Sequence, residues 1–141
     1  MNCPFCEINK EKTRIIKKGR YCYVCFSNPG LMEGHLLIIP KRHVERISEL
    51  NKEEREELIN FVVEYQEKIL DNIAKGCDIR QNYRPFQVQN KLKLDHLHIH
   101  LLPREFEDEL YLKSQIFEKS IFKELTQEEI DKIFVLLKKG T

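Results

Sequence analysis

The sequence predicts an α+β domain: an antiparallel sheet of about five strands, one long helix packed on it, and a C-terminal helix. Three observations carry this. Apolar and aromatic runs bounded by turn residues occur before residue 50; a three- and four-residue periodicity begins at Asn51; and strict alternation returns over residues 92–102. Strands on both sides of one helix, followed by a second helical pattern, suit a sheet with helices segregated from it.

The elements follow in order. Residues 21–26 (Tyr-Cys-Tyr-Val-Cys-Phe) read as a strand, and Asn28-Pro29-Gly30 marks a turn. His35 opens a short apolar run ended by Pro40, the pattern of a strand buried on both faces. Asn51 with Glu54 forms a capping box, after which Leu58, Val62, Tyr65, Ile69 and Ile73 share one helical face. That helix is expected to run to about Ala74 and close at Gly76. Ile79, Tyr83, Phe86 and Val88 suit strands, but Pro85 limits pairing. Phe117, Ile121 and Leu125 lean helical. Thr126 with Glu129 makes a second capping box, followed by Ile130, Ile133, Phe134 and Leu137 on one face.

A chain of 141 residues suits one domain, 1–141, with its motifs in about 2–104 and a C-terminal extension over about 105–141. Its 24 basic and 23 acidic residues argue against a generic nucleic-acid binder and against an acidic disordered chain. The N-terminus lacks a basic start and an apolar stretch, and no apolar run approaches the ~20 residues of a membrane span. A soluble, cytoplasmic protein without a membrane partner is expected. Five cysteines, an odd number, suit thiols or metal ligands better than a disulfide framework.

The chemistry concentrates in Asp95-His96-Leu97-His98-Ile99-His100-Leu101-Leu102-Pro103-Arg104. With a period of two, His96, His98 and His100 share one face, and Leu97, Ile99 and Leu101 the other. The leucine and isoleucine face has an obvious role in packing. Three imidazoles side by side call for a metal, a phosphate or a reaction; the plain alternative is a solvated strand face. All three cannot reach one ion, because i to i+4 on a strand spans ~13 Å, although two neighbours can. In the nucleophile reading the central imidazole attacks, and its neighbours orient it and stabilise charge. An ordinary imidazole, with a pKa near ~6.5, is largely neutral at neutral pH. No P-loop glycine pattern is present.

These residues carry a resemblance. His96 to Arg104 resembles the signature of the histidine triad family of nucleotide hydrolases and transferases. Gly34-His35-Leu36-Leu37-Ile38-Ile39-Pro40-Lys41-Arg42-His43 resembles that family's second motif, and Asn2-Cys3-Pro4-Phe5-Cys6-Glu7-Ile8 the start of many bacterial members. The resemblance implies that His98 attacks the α-phosphorus and carries a nucleotidyl group. His100 would contact the phosphate and assist the leaving group, His35 would hydrogen-bond within the cluster, and His96 would support the nucleophile. Phe5 and Ile8 would line the base pocket, with Ser27 and Asn28 near the ribose. Histidine at the third triad position resembles the hydrolase branches, so water is the expected acceptor. The implied substrates are nucleoside phosphoramidates or dinucleoside polyphosphates, no organic cofactor is implied, and the family commonly forms homodimers. In place of the family's usual Ala-Gly-Gln-Ser/Thr-like stretch this chain has Gln87-Val88-Gln89-Asn90-Lys91-Leu92-Lys93-Leu94. A phosphate cradle is then expected from Gln89, Asn90 and Lys93. The alternative function is a non-catalytic nucleotide- or zinc-binding module on the same fold.

Cys3-Pro4-Phe5-Cys6 has the spacing of a zinc knuckle, and Cys22 with Cys25 completes a zinc-ribbon pattern. Against the ribbon, positions i and i+3 of a strand face opposite sides. The family resemblance implies instead a structural Zn²⁺ held by Cys3, Cys6, His43 and His96; a chain without metal is the third possibility. Cys22, Cys25 and Cys77 then read as small core residues.

Overall fold

The computed structural model describes residues 3–6, 14–90 and 92–140. The chain divides into two compact units, residues 1–106 and 107–141.

The first unit is a five-stranded, wholly antiparallel sheet in the order β1-β2-β3-β5-β4. Its strands are β1 (Ile15–Lys18), β2 (Cys22–Phe26), β3 (Leu36–Pro40), β4 (Gly76–Arg80) and β5 (Ile99–Arg104). Helix α1 (Lys52–Asn72) starts at the expected capping box: the Asn51 side chain accepts from the Glu54 N–H at 2.9 Å, and Glu54 Oε1 accepts from the Asn51 N–H at 2.9 Å. Leu58, Phe61, Val62, Tyr65 and Ile69 of α1 pack on Cys22, Val24, Leu36, Ile38, Ile99 and Leu101. Burying this apolar stripe drives helix and sheet together. Glu57 clamps the β1–β2 turn by accepting the N–H groups of Arg20, Tyr21 and Cys22. A Cβ at Gly19 would lie 2.6 Å from the Phe61 ring, so the turn approaches α1 too closely for a side chain.

The other face of the sheet buries Tyr23, Cys25, Leu37 and Ile39, with Phe5 and Ile15 against them. Cys22 and Cys25 therefore point to opposite faces, as strand geometry requires, and both are fully buried. Burial pushes both thiols up to about 12, which keeps them protonated and leaves the ribbon without its second pair.

Several boundaries differ from the sequence reading. β1 was not anticipated, because Lys17 and Lys18 obscure its short alternation. α1 ends at Asn72, and Gly76 opens β4 rather than closing the helix. Of residues 79–89 only Ile79 and Arg80 lie in a strand. The strand expected over 92–102 begins at Ile99 and reaches Arg104. Among the described residues, 92–98 have no ladder partner: β4 has already ended at Arg80, and the Leu97 N–H donates to the Val44 carbonyl at 2.6 Å.

The second unit contains α2 (Glu109–Lys113), a 3₁₀ segment (Gln115–Ser120) and α3 (Gln127–Leu137). α3 begins at the expected Thr126–Glu129 capping box. Its Ile130, Ile133, Phe134 and Leu137 are exposed. Among the described residues no helix is long and apolar enough to cross a membrane.

Candidate functional site

All five histidines gather on the face of the sheet opposite α1. His35 stands immediately before β3; His96 and His98 precede β5, and His100 lies on it. β3 and β5 are paired, with Leu37 opposite His100. The turn after β3 delivers His43, and the Cys3–Cys6 turn is anchored where Tyr23 Oη donates to the Phe5 carbonyl at 2.7 Å.

Backbone partners set which nitrogen of each ring carries its proton. The Leu31 N–H donates to His35 Nδ1 at 3.0 Å, so the His35 proton is on Nε2. His35 Nε2 lies 2.9 Å from His100 Nδ1 and donates to it, leaving His100 with an Nε2–H. His98 Nδ1 is 2.7 Å from the His96 carbonyl and must donate there, leaving Nε2 as a bare lone pair. His96 Nε2 donates to the Pro40 carbonyl at 2.8 Å, which leaves its Nδ1 lone pair facing the two cysteines.

The result is two clusters along residues 96–100. In the first, His96 Nδ1 lies 3.2 Å from Cys3 Sγ and 3.4 Å from Cys6 Sγ, and His43 Nδ1 lies 3.3 Å from Cys6 Sγ. The four ligand atoms all fall within 4.8 Å of one another. Tetrahedral zinc places sulfur and nitrogen ligands roughly 3.5 Å apart. Two thiols and two imidazoles with Nδ1 turned toward them are a donor set able to hold a metal. Arg42, next to His43, is tied to buried Glu54 by two hydrogen bonds of 2.9 and 3.1 Å, and this hold on the turn positions His43.

In the second cluster the rings of His98 and His100 stand edge to face, 4.8 Å apart. Burial, with Arg80 and His98 adding to it, pushes His35 down to about 4. Burial and the neighbouring His98, His35 and Arg80 push His100 down to about 3. Burial also lowers His98, against the effect of its bond to the His96 carbonyl. All three rings are therefore neutral at neutral pH.

These three histidines line a groove of about 350 Å³ with Phe5, Ser27, Asn28, Leu31 and Arg80. Phe5 meets His98 edge to face at 5.0 Å. Thus Phe5, Ser27 and Asn28 are brought to the histidines, whereas Ile8 lies outside the described residues. Gln89 and Asn90 serve their own loop: Gln89 accepts the Asp95 N–H, and Asn90 accepts those of Leu92 and Lys93. Lys93 lines a small depression beside His98, but its charge is paired with Asp95 at 2.7 Å. The sequence gives Arg80 little signal: it is an arginine at the end of an alternating stretch, and its face depends on register.

Residues 9–107, well over half of the chain, match the family model described as the HIT domain. The chain belongs to the HIT family. Among curated proteins, this HIT chain is 29% identical over 110 residues to an adenosine 5'-monophosphoramidase of Saccharomyces cerevisiae, covering 74% of the chain and 64% of that protein. It is 30% identical over 90 residues to mouse CWF19-like protein 1, covering 62% of the chain and 17% of that protein. It thus spans less than two thirds of either relative. An AP-4-A phosphorylase of Mycobacterium tuberculosis is 24% identical over 104 residues, 72% of this chain and 53% of that protein. Among solved structures, a HIT family protein of Bacillus subtilis superposes with a TM-score of 0.72 at 20% identity, covering 100% of this chain and 98% of that one. A zinc-bound histidine triad protein of Mycobacterium smegmatis superposes with a TM-score of 0.65 at 23% identity, covering 78% and 80%. The HIT fold, its sheet and its long helix are as expected from the sequence.

Proposed function

We propose that this HIT protein hydrolyses a nucleotidyl bond, in a nucleoside phosphoramidate or a dinucleoside polyphosphate, through a covalent intermediate on His98. The observation that carries the reading is the bare Nε2 lone pair of His98, held toward the groove by the bond from Nδ1 to the His96 carbonyl. In the first step Nε2 attacks the α-phosphorus, and the bond to the leaving oxygen or nitrogen breaks with its electron pair. His100 Nε2–H donates a hydrogen bond to that leaving atom, which takes its proton from water, and His35 holds His100 in the tautomer that can donate. Water then attacks the phosphorus, the P–N bond breaks with its electron pair returning to His98 Nε2, and the attacking water's proton passes to solvent. The products are a nucleoside monophosphate and the protonated leaving group. The relatives named as a monophosphoramidase and an AP-4-A phosphorylase support a nucleotide substrate.

Cys3, Cys6, His43 and His96 are proposed to hold a structural zinc, as supported by their donor set and by the fold's zinc-bound neighbour from M. smegmatis. When bound, the metal would tie residues 3–6 to the sheet and keep Phe5 against the groove.

The test is turnover by the purified chain of a panel of adenosine and guanosine phosphoramidates and dinucleoside polyphosphates. Release of the nucleoside monophosphate is expected from at least one class. Binding of nucleotide without any turnover would overturn the hydrolase reading in favour of a binding module.

A further inference from the structure

The groove contains a cation that the reaction above does not use. Arg80 ends β4, and its register partner on β5 is His100. Directly opposed residues of an antiparallel pair project from the same face, so Arg80 stands beside His100 on the groove side. It is half-buried and lines the groove with His35, His98 and His100. The nearest acid on its strand, Asp78, is ion-paired to Arg104. Among the described residues no carboxylate pairs with Arg80. Lys93, a second cation near the histidines, is occupied by Asp95 and the Gln87 carbonyl. A half-buried guanidinium without a counter-charge is an incomplete arrangement, and its fork of N–H donors matches phosphate oxygens.

Its place across the sheet gives the groove a direction. Phe5 packs over Tyr23, Cys25, Leu37 and Ile39 of β2 and β3, while Arg80 lies on β4, beyond β5. His98 and His100 therefore lie between an aromatic wall and a cation. With the base against Phe5 and the reacting phosphorus over the histidines, the part of the substrate beyond that phosphorus meets Arg80. We propose that Arg80 is a specificity-determining residue that binds phosphate oxygens of the leaving group, so that this site prefers substrates with an anionic, phosphate-bearing leaving group over those releasing an uncharged amine. The proposal rests on the hydrolase reading above.

Two measurements on the full chain test it. The first is the ratio of kcat/KM for diadenosine tetraphosphate to that for adenosine 5'-phosphoramidate. Arg80→Gln should lower this ratio at least tenfold, and Arg80→Lys should restore part of it; an unchanged ratio overturns the proposal. The second is independent of turnover: the gain in affinity from AMP to ADP, by calorimetry. The parent should bind ADP more tightly than AMP, and Arg80→Gln should remove most of that gain. An equal gain in parent and variant overturns the assignment of Arg80. A parent that hydrolyses neither substrate but shows an Arg80-dependent ADP preference refutes the hydrolase reading while leaving Arg80 as the phosphate reader.

Discussion

His96 and His98 are two residues apart, just before β5, yet they face different surroundings. His96 gives its Nε2 proton to the Pro40 carbonyl and turns Nδ1 to two cysteines; His98 gives its Nδ1 proton to the His96 carbonyl and turns Nε2 to the groove. Composition does not distinguish them, since both are neutral imidazoles lowered chiefly by burial. The difference lies in which nitrogen the backbone occupies, because that decides where the remaining lone pair points. The surroundings complete the division. Cys3, Cys6 and His43 converge on His96, whereas His35, His100 and Arg80 surround the groove of His98.

The largest effect should come from the groove side. His98→Asn is expected to lower turnover roughly ten-thousandfold or more, because the covalent route is lost, while the melting temperature and AMP affinity stay close to those of the parent. Steady-state kinetics beside calorimetric binding read this, and near-parent turnover would erase the distinction between the two histidines.

The thiol side should give an effect of a different kind. Purified without chelator, the parent is expected to hold about one zinc per chain. Cys3→Ser with Cys6→Ser should remove it and lower the melting temperature by about 5 °C or more, with a smaller loss of activity than His98→Asn. Elemental analysis and thermal melts check both. Zinc-free parent protein would refute the site, and zinc retained by the double variant would move it elsewhere.

The smallest effect concerns pH. His35 and His100 stay neutral in the folded state down to about 4 and about 3 respectively, while the unfolded chain takes up protons below about 6.5. The unfolded state therefore binds more protons in this window, so stability is full above pH 6.5 and falls as the pH drops toward 4. Urea midpoints should follow that course. His35→Asn should show a shallower dependence, by up to about one proton; equal slopes would mean that His35 titrates normally.

Much of this organisation was legible in residue order. The alternation of His96, His98 and His100 with Leu97, Ile99 and Leu101 indicated a chemical face and a core face, and both capping boxes marked true helix starts. What could not be read was pairing. Leu92 and Leu94 alternate with charged residues as a strand would, but among the described residues no strand pairs with them, and Leu92 stays exposed. Gln89 and Asn90 looked available for phosphate because the hydrogen bonds that occupy them are made within their own loop. Arg80 became visible only through the β4–β5 register.

The most direct test of a covalent route through His98 is to quench the chain during turnover of an adenosine phosphoramidate or a dinucleoside polyphosphate and map the peptides by mass spectrometry. A nucleotidyl adduct is expected on His98, absent from His98→Asn. Turnover with no adduct, or with the adduct on His100 or His96, would contradict it.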